Sequence, residues 1–143
     1  MEIKEYLAHN NLIDFYFSRG LEFDDINKKY EYEPLFSYVV TEEDTIIGAS
    51  TCYKENENYV LDYIAIENGY EKMGIGTELL NATIDHIKKL NGKNIYILAK
   101  EPGFFLKNGF KTIQKTEKLD FHVCFKCSNY KVTCFPEIMI YEI

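Results

Sequence analysis

The chain has 143 residues, of which 46% are hydrophobic and 27% charged, and its formal net charge is -7. These proportions exclude a disordered chain and fit one globular domain, residues 1–143, which at this length buries roughly two thirds of its unfolded surface without help from metals or disulfides. Arg19 is the single arginine, so nucleic-acid partners are disfavoured, because their affinity comes mainly from clustered Lys and Arg.

The acidic balance favours a cationic substrate, such as a small amine or a lysine-bearing peptide, through long-range attraction. No apolar run reaches the roughly 18 residues of a membrane span, and MEIKEYLAHN has neither the basic flank nor the apolar core of a signal peptide. The expected address is therefore the cytoplasm, with no membrane partner, and the expected state is a monomer or a homodimer.

Taken in order, Ile3 to Leu7 reads as a first strand, and Leu12, Ile13, Phe15, Tyr16 and Phe17 as a helix that Arg19-Gly20 ends. Glu22 to Tyr32 is acidic and aromatic with poor periodicity, and Pro34 closes it; it reads as a surface helix or loop, or as the wall of a substrate site. Three β-rich runs follow, Phe36 to Val40, Thr45 to Tyr53 and Tyr59 to Ile66. The short polar links between them, Glu42-Glu43-Asp44 and Glu55-Asn56-Glu57-Asn58, predict antiparallel neighbours.

The fourth strand ends at Glu67-Asn68-Gly69, and a helix begins near Gly74 with the apolar stripe Ile75, Leu79, Leu80, Ile84 and Ile87. Gly74 and Gly76 flank its first residue, where the amides have no intrahelical carbonyl to bond. Such a glycine-flanked helix start is suited to an anion, although a purely structural glycine turn is the alternative reading. The helix is long enough to be a crossover, so Ile95 to Ala99 is expected to lie parallel to the fourth strand. Pro102 opens a short helix through Phe104, Phe105 and Leu106, Asn108-Gly109 ends it, and strands are expected at Phe110 to Ile113 and Glu137 to Tyr141.

Between those last strands, His122, Cys124, Cys127 and Cys134 gather within a short stretch, with a strand expected at Leu119 to Phe125. Thiolates and imidazole at such spacing suit tetrahedral zinc, but free or redox-active thiols, or a disulfide, fit the same residues. Cys52, in mid-strand, reads as a core residue.

The element order resembles that of the GCN5-related N-acetyltransferase (GNAT) superfamily, and two motifs carry the likeness. Glu71-Lys72-Met73-Gly74-Ile75-Gly76 stands where that family has Q/R-x-x-G-x-G/A, and Phe104-Phe105-Leu106-Lys107-Asn108-Gly109-Phe110 where it often has F-Y-x-x-x-G-F. A dinucleotide fold would want a third glycine where Leu79 stands, and a P-loop would want Lys-Ser or Lys-Thr after its last glycine.

The resemblance implies an α/β single-domain acyl-CoA N-acyltransferase fold. Its mixed, mostly antiparallel sheet would have about six or seven strands and about four helices, with the parallel pair at strands four and five. It also implies acetyl transfer from acetyl-CoA to a primary amine by direct attack. The pyrophosphate would lie on the loop Glu71, Lys72, Met73, Gly74, Ile75, Gly76 and Thr77, held mainly by amides from Met73 onward. The thioester would lie beside Ile64, Ala65 and Ile66, with the Ile66 amide polarising its carbonyl, and Phe104, Phe105 and Lys107 would complete the cofactor's surroundings.

Two residues depart from the pattern. Glu71 puts a carboxylate near phosphates and is expected to turn away, and Phe105 replaces a tyrosine that would protonate the departing thiolate. Asp62 or Tyr63 is the candidate base, with Glu67 at the strand's end, or an ordered water chain in their place. The alternative function is a catalytically weak CoA-binding sensor whose cysteine cluster responds to redox state or metal.

Overall fold

The computed structural model describes residues 1–21, 30, 32–113 and 137–143. A sheet of seven strands runs through them: β1 (Glu2–Glu5), β2 (Phe36–Glu42), β3 (Thr45–Glu55), β4 (Asn58–Ile66), β5 (Asn94–Ala99), β6 (Lys111–Thr112) and β7 (Glu137–Glu142). Their order across the sheet is β1-β2-β3-β4-β5-β7-β6. Every neighbouring pair is antiparallel except β4 and β5, which are parallel as the crossover predicts. The fold expected from the sequence is the one observed.

The hairpins form because their turns tolerate left-handed backbone. Glu43 and Asp44 take φ of 49° and 64° between β2 and β3, and Asn56 takes 56° between β3 and β4. Two successive positive φ values match the twist of the flanking strands.

The helices are α1 (Ile13–Ser18), led by a 3-10 turn over His9–Leu12, then α2 (Ile75–Lys89) and α3 (Pro102–Lys107). Successive side chains on a strand point to opposite faces, and Val39 and Val40 show the division. Val39 packs with Leu12, Ile13 and Tyr16 on the α1 side, while Val40 packs with Ile75 and Leu79 on the α2 side. The stripe of α2 continues through Leu80, Ile84 and Ile87 onto Phe36, Leu61, Ile95 and Ile97. No helix among the described residues is long and apolar enough to cross a membrane.

Several boundaries differ from expectation. β1 stops at Glu5, one last bond from the Tyr6 amide to the Ser37 carbonyl extending its register before the chain enters the 3-10 turn at His9. β6 keeps only Lys111–Thr112 of the expected Phe110 to Ile113, since Phe110 is drawn into the core beneath α3. Three α-helices are present among the described residues. The fourth was expected within Glu22 to Tyr32, most of which lies outside them, as do the expected strand Leu119 to Phe125 and the whole cysteine cluster.

At the end of α2 the chain makes a reversal in which the Asn91 amide bonds the Lys88 carbonyl at 3.0 Å and the Gly92 amide bonds the Ile87 carbonyl at 2.9 Å. A Cβ on Gly92 would fall 2.4 Å from Ile87 Cγ2 and 2.8 Å from the Tyr59 ring. Gly92→Ala is therefore expected to cost about 1–3 kcal/mol in urea unfolding, as overpacking of a closed site does; a change under a few tenths would refute that packing.

Candidate functional site

The site is built where α2 starts, beside the far end of β4. Gly74 is the residue that turns the chain into the helix, with φ 77° and ψ 4°. That left-handed conformation is strained for any residue with a side chain, and the space where a Cβ would lie has no atom within 4 Å. The first helical bond is Glu78 N–H to the Gly74 carbonyl at 3.1 Å, so the amides of Ile75, Gly76 and Thr77 precede the intrahelical ladder. Together with the helix dipole they make a donor-rich, partly positive spot suited to a phosphate.

The loop leading to this point is exposed at Glu71, Lys72, Met73 and Gly74. Glu71 is turned back, accepting a bond from the Gly69 amide at 2.9 Å. The Met73 amide closes a turn on the Tyr70 carbonyl at 3.3 Å, so it is the least available of the proposed donors. Gly76 has a role that sequence reasoning missed. A Cβ there would sit 3.1 Å from the Phe104 ring and 3.8 Å from Ile66 Cγ1, so its missing side chain is the room into which α3 packs.

Next to this helix start the sheet opens. β4 pairs with β5 only at Tyr59↔Ile95 and Val60↔Tyr96, although β4 continues to Ile66 and β5 to Ala99. On their outer edges β5 stays paired to β7 and β4 to β3 along their whole lengths, so the sheet opens between its two halves. A bulge marks the opening: Cys52 faces Leu61 and Thr51 faces Tyr63, which leaves Asp62 as the extra residue. The bulge also reverses which side chains face α2. Tyr59 and Leu61 do so before it, Ile64 and Ile66 after it, while Tyr63 and Ala65 join the α1 side.

The direction of the amides beyond the bulge follows from one bond. Glu67 N–H donates to the Ile47 carbonyl at 2.7 Å, and in an antiparallel ladder alternate residues of a strand bond the same neighbour. The Ala65 amide therefore also faces β3, whereas the amides of Ile64 and Ile66 face the gap left by β5. Of the three residues expected beside the thioester, Ile64 and Ile66 offer donors and Ala65 does not.

Asp62 and Tyr63 meet an aromatic cluster. The Tyr63 ring stacks on Tyr16 with centroids 5.0 Å apart and lies 5.9 Å from Tyr30. Asp62 is half-buried, and desolvation by its surroundings pushes its carboxyl pKa up to about 7. Its charge in turn helps raise Tyr16 and Tyr30, for which burial is the larger cause.

Glu67 is already engaged, pairing with Arg19 and accepting the Asn68 amide at 3.2 Å. The Arg19 guanidinium lies over the Phe15 ring at 5.7 Å, and Lys100 Nζ, just past β5, bonds the Gly20 carbonyl at 3.3 Å. The end of α1 is thus tied to both diverging strands. A lone arginine placed just before a glycine stop was the available signal for this.

Phe105 is buried with Leu80, Ile97 and Met139, its ring edge-on to Phe104 at 5.0 Å and to Phe110 at 5.3 Å. It is a core residue of α3, and Lys107 at the end of that helix is exposed. Cys52 is buried, and burial pushes its thiol pKa up. His122, Cys124, Cys127 and Cys134 lie outside the described residues, and among those described no three His, Cys, Asp or Glu side chains gather as a metal site.

Comparison with known proteins extends this picture. The sequence profile of the Acetyltransferase (GNAT) family matches residues 5–110. No curated protein sequence gives a match. Among solved structures, Tetrahymena GCN5 superposes with a TM-score of 0.73 at 19% identity, covering 100% of this chain and 96% of that one. A GNAT-family acetyltransferase from Staphylococcus aureus Mu50 gives 0.70 at 19% identity, covering 99% and 98%. N-acetylglutamate synthase from Neisseria gonorrhoeae, complexed with coenzyme A and N-acetyl-glutamate, gives 0.72 at 15% identity, covering 99% of this chain and 35% of that one. The fold, the helix start and the sequence profile agree: the chain belongs to the GNAT acetyltransferase family.

Proposed function

We propose that this protein transfers an acetyl group from acetyl-CoA to a primary amine by direct attack. The observation that carries the reading is the opening between β4 and β5, into which the Ile64 and Ile66 amides point, next to the donor-rich start of α2. Coenzyme A bound to the gonococcal relative supports the choice of donor. A small amine, or the lysine of a peptide, suits the acidic chain as acceptor.

Acetyl-CoA, when bound, supplies an acyl group already activated as a thioester. The residues around it then divide the work. The amides of Ile75, Gly76 and Thr77 hold the pyrophosphate, with Lys72 adding charge from the exposed loop. The Ile66 amide donates to the acyl oxygen and is placed to stabilise the negative charge that builds there, an effect worth a few kcal/mol for a well-aimed backbone donor. Asp62, held near neutrality, removes a proton from the incoming ammonium so that a lone pair is free to attack. Phe105 contributes packing and no acid.

The sensor alternative drew on Cys124 and Cys127, which lie outside the described residues, and nothing in the site's geometry favours it.

Thiol release from acetyl-CoA should depend on an amine drawn from a panel of polyamines, aminoglycosides, amino acids and lysine peptides; coenzyme A binding without any amine-dependent release would end the transferase reading. Gly74→Glu should weaken coenzyme A by at least about tenfold in calorimetry, with circular dichroism unchanged, and wild-type affinity would remove the phosphate from the start of α2.

Asp62→Asn should lower kcat/KM by roughly 100-fold or more, and the wild-type rise in rate with pH through about 7 should disappear with it. Because the folded-state pKa of Asp62 lies above its ordinary value of 3.8, folding favours the protonated form. The stability this adds is complete below pH 3.8 and is lost as pH rises through about 7. Asp62→Asn should therefore melt higher than the wild type at pH 8 and at the same temperature at pH 3.5, and a variant that melts lower at pH 8 would show that the carboxylate is not buried at a cost.

A further inference from the structure

The turn that ends α1 reaches both strands at the opening, and neither the phosphate cradle nor the acyl site accounts for it. The Gly20 amide bonds the Phe17 carbonyl at 3.1 Å and the Leu21 amide bonds the Tyr16 carbonyl at 3.1 Å, with Gly20 at φ 84°. This is a helix stop that needs a left-handed glycine, and it fixes Arg19 and Gly20 in one conformation. From it the Arg19 side chain reaches the carboxylate of Glu67, the residue after β4. The Gly20 carbonyl takes the ammonium of Lys100, the residue after β5, at 3.3 Å.

Ion pairs at the surface are common, and one that merely fastened a helix end would contribute little. The burial sets this pair apart. The Arg19 side chain is 16% exposed, its guanidinium lies over the Phe15 ring, and Nη2 bonds Ser18 Oγ at 3.2 Å. Its Nε is buried without a hydrogen-bond partner among the described residues. An unpaired buried donor costs stability, and ending the helix does not require it, because Gly20 already does that. Glu67 in turn is held twice, by its carboxylate and by its amide on the Ile47 carbonyl at 2.7 Å. The residue before it is Ile66, whose amide faces the opening where β4 and β5 no longer pair.

We propose that Arg19 is a positioning residue for acyl transfer, fixing the Ile66 amide by holding Glu67, an inference that rests on the transferase reading above. Beyond Val60 the end of β4 has a strand on one edge only, β3. A strand held along one edge retains freedom to twist, and a second hold from α1 removes it. Lys100 steadies the end of β5 through the same turn. The Ile66 N–H is thereby aimed before acetyl-CoA arrives, and such preorganisation is what makes a backbone donor effective against developing charge. Arg19 acts through Glu67 and not on the substrate.

The test uses acetyl-CoA with the fastest amine of the panel. Arg19→Met keeps the apolar stem and removes the charge. It should lower kcat about tenfold, less than the roughly 100-fold that a misplacement of about 1 Å can cost. KM for acetyl-CoA and the calorimetric affinity for free coenzyme A should stay within about twofold of wild type, since the loss falls on the transition state. A tie that served stability alone would lower the unfolding midpoint and leave kcat of the folded enzyme unchanged. Arg19→Lys, which keeps a charge for Glu67, should recover part of the loss. Arg19→Met combined with Glu67→Gln should lose no more than Arg19→Met alone, because the two act as a unit. A kcat within about twofold of wild type in Arg19→Met would overturn the proposal, as would Arg19→Lys no better than Arg19→Met or a double variant whose loss is the product of the single ones. Should Arg19→Met fail to fold, Glu67→Gln, which leaves Arg19 on the Phe15 ring, decides alone: a lowered kcat at unchanged KM is expected, and wild-type kcat overturns the proposal. If the wild type releases no thiol with any amine, the transferase reading falls and the positioning role with it, whereas an active wild type with indifferent variants removes the positioning role alone.

Discussion

The divergence of β4 from β5 is the constraint on which the rest of this protein depends. Two parallel strands that stay paired have no unsatisfied amides between them and no room for a ligand. Here pairing stops after Val60 and Tyr96, and the extra residue at Asp62 supplies local twist at that point. The bulge does two things at once. It leaves the Ile64 and Ile66 amides facing the opening, and it sets a half-buried carboxyl next to Tyr63, where desolvation raises its pKa to about 7. Backbone donors facing an opening and a carboxyl with a raised pKa thus arise from one inserted residue.

Much of the scaffold was legible in the sequence because short-range rules govern it. The polar links at Glu42-Glu43-Asp44 and Glu55-Asn56-Glu57-Asn58 became the tight hairpins they predicted, and the stripe from Ile75 to Ile87 became the buried face of α2. Gly74 at the start of that helix was legible for the same reason: a left-handed entry needs glycine. What could not be read depends on contacts between distant segments. Nothing near Gly76 announces that Phe104 fills the space above it, and no local pattern reveals a bulge that exists only relative to Thr51 and Cys52 on the next strand. The contacts of Ser37 Oγ with His9 Nδ1 and Thr51 Oγ1 are hidden in the same way, since the three residues come from three separate elements.

Phe104 and Phe105 illustrate how adjacent, chemically identical residues separate once the fold is known. The first packs over Gly76 at the helix start, and the second sits in the core against Phe110. A phenylalanine at the second position gives the core a fully apolar ring, without an O–H in need of a buried partner. The Arg19–Glu67 pair and the Lys100 bond to the Gly20 carbonyl likewise serve more than one end. They fasten α1 across the mouth formed by the diverging strands, so the width of that mouth and the position of α1 are set together.

The insertion of β7 between β5 and β6 has a consequence for how the chain is made. During synthesis β5 emerges with one edge held only briefly by β4 and the other bare, and it waits for the whole stretch from 100 to 136 before β7 arrives to cover it. An uncovered strand edge is an invitation to pair with another nascent chain. Lys93 and Asn94 at the entry to β5 and Lys100 at its exit leave Ile95 to Ala99 as the only apolar interior. Polar residues at both ends of so short a strand are the means by which an edge left bare until its own partner is translated is blunted against pairing with another chain.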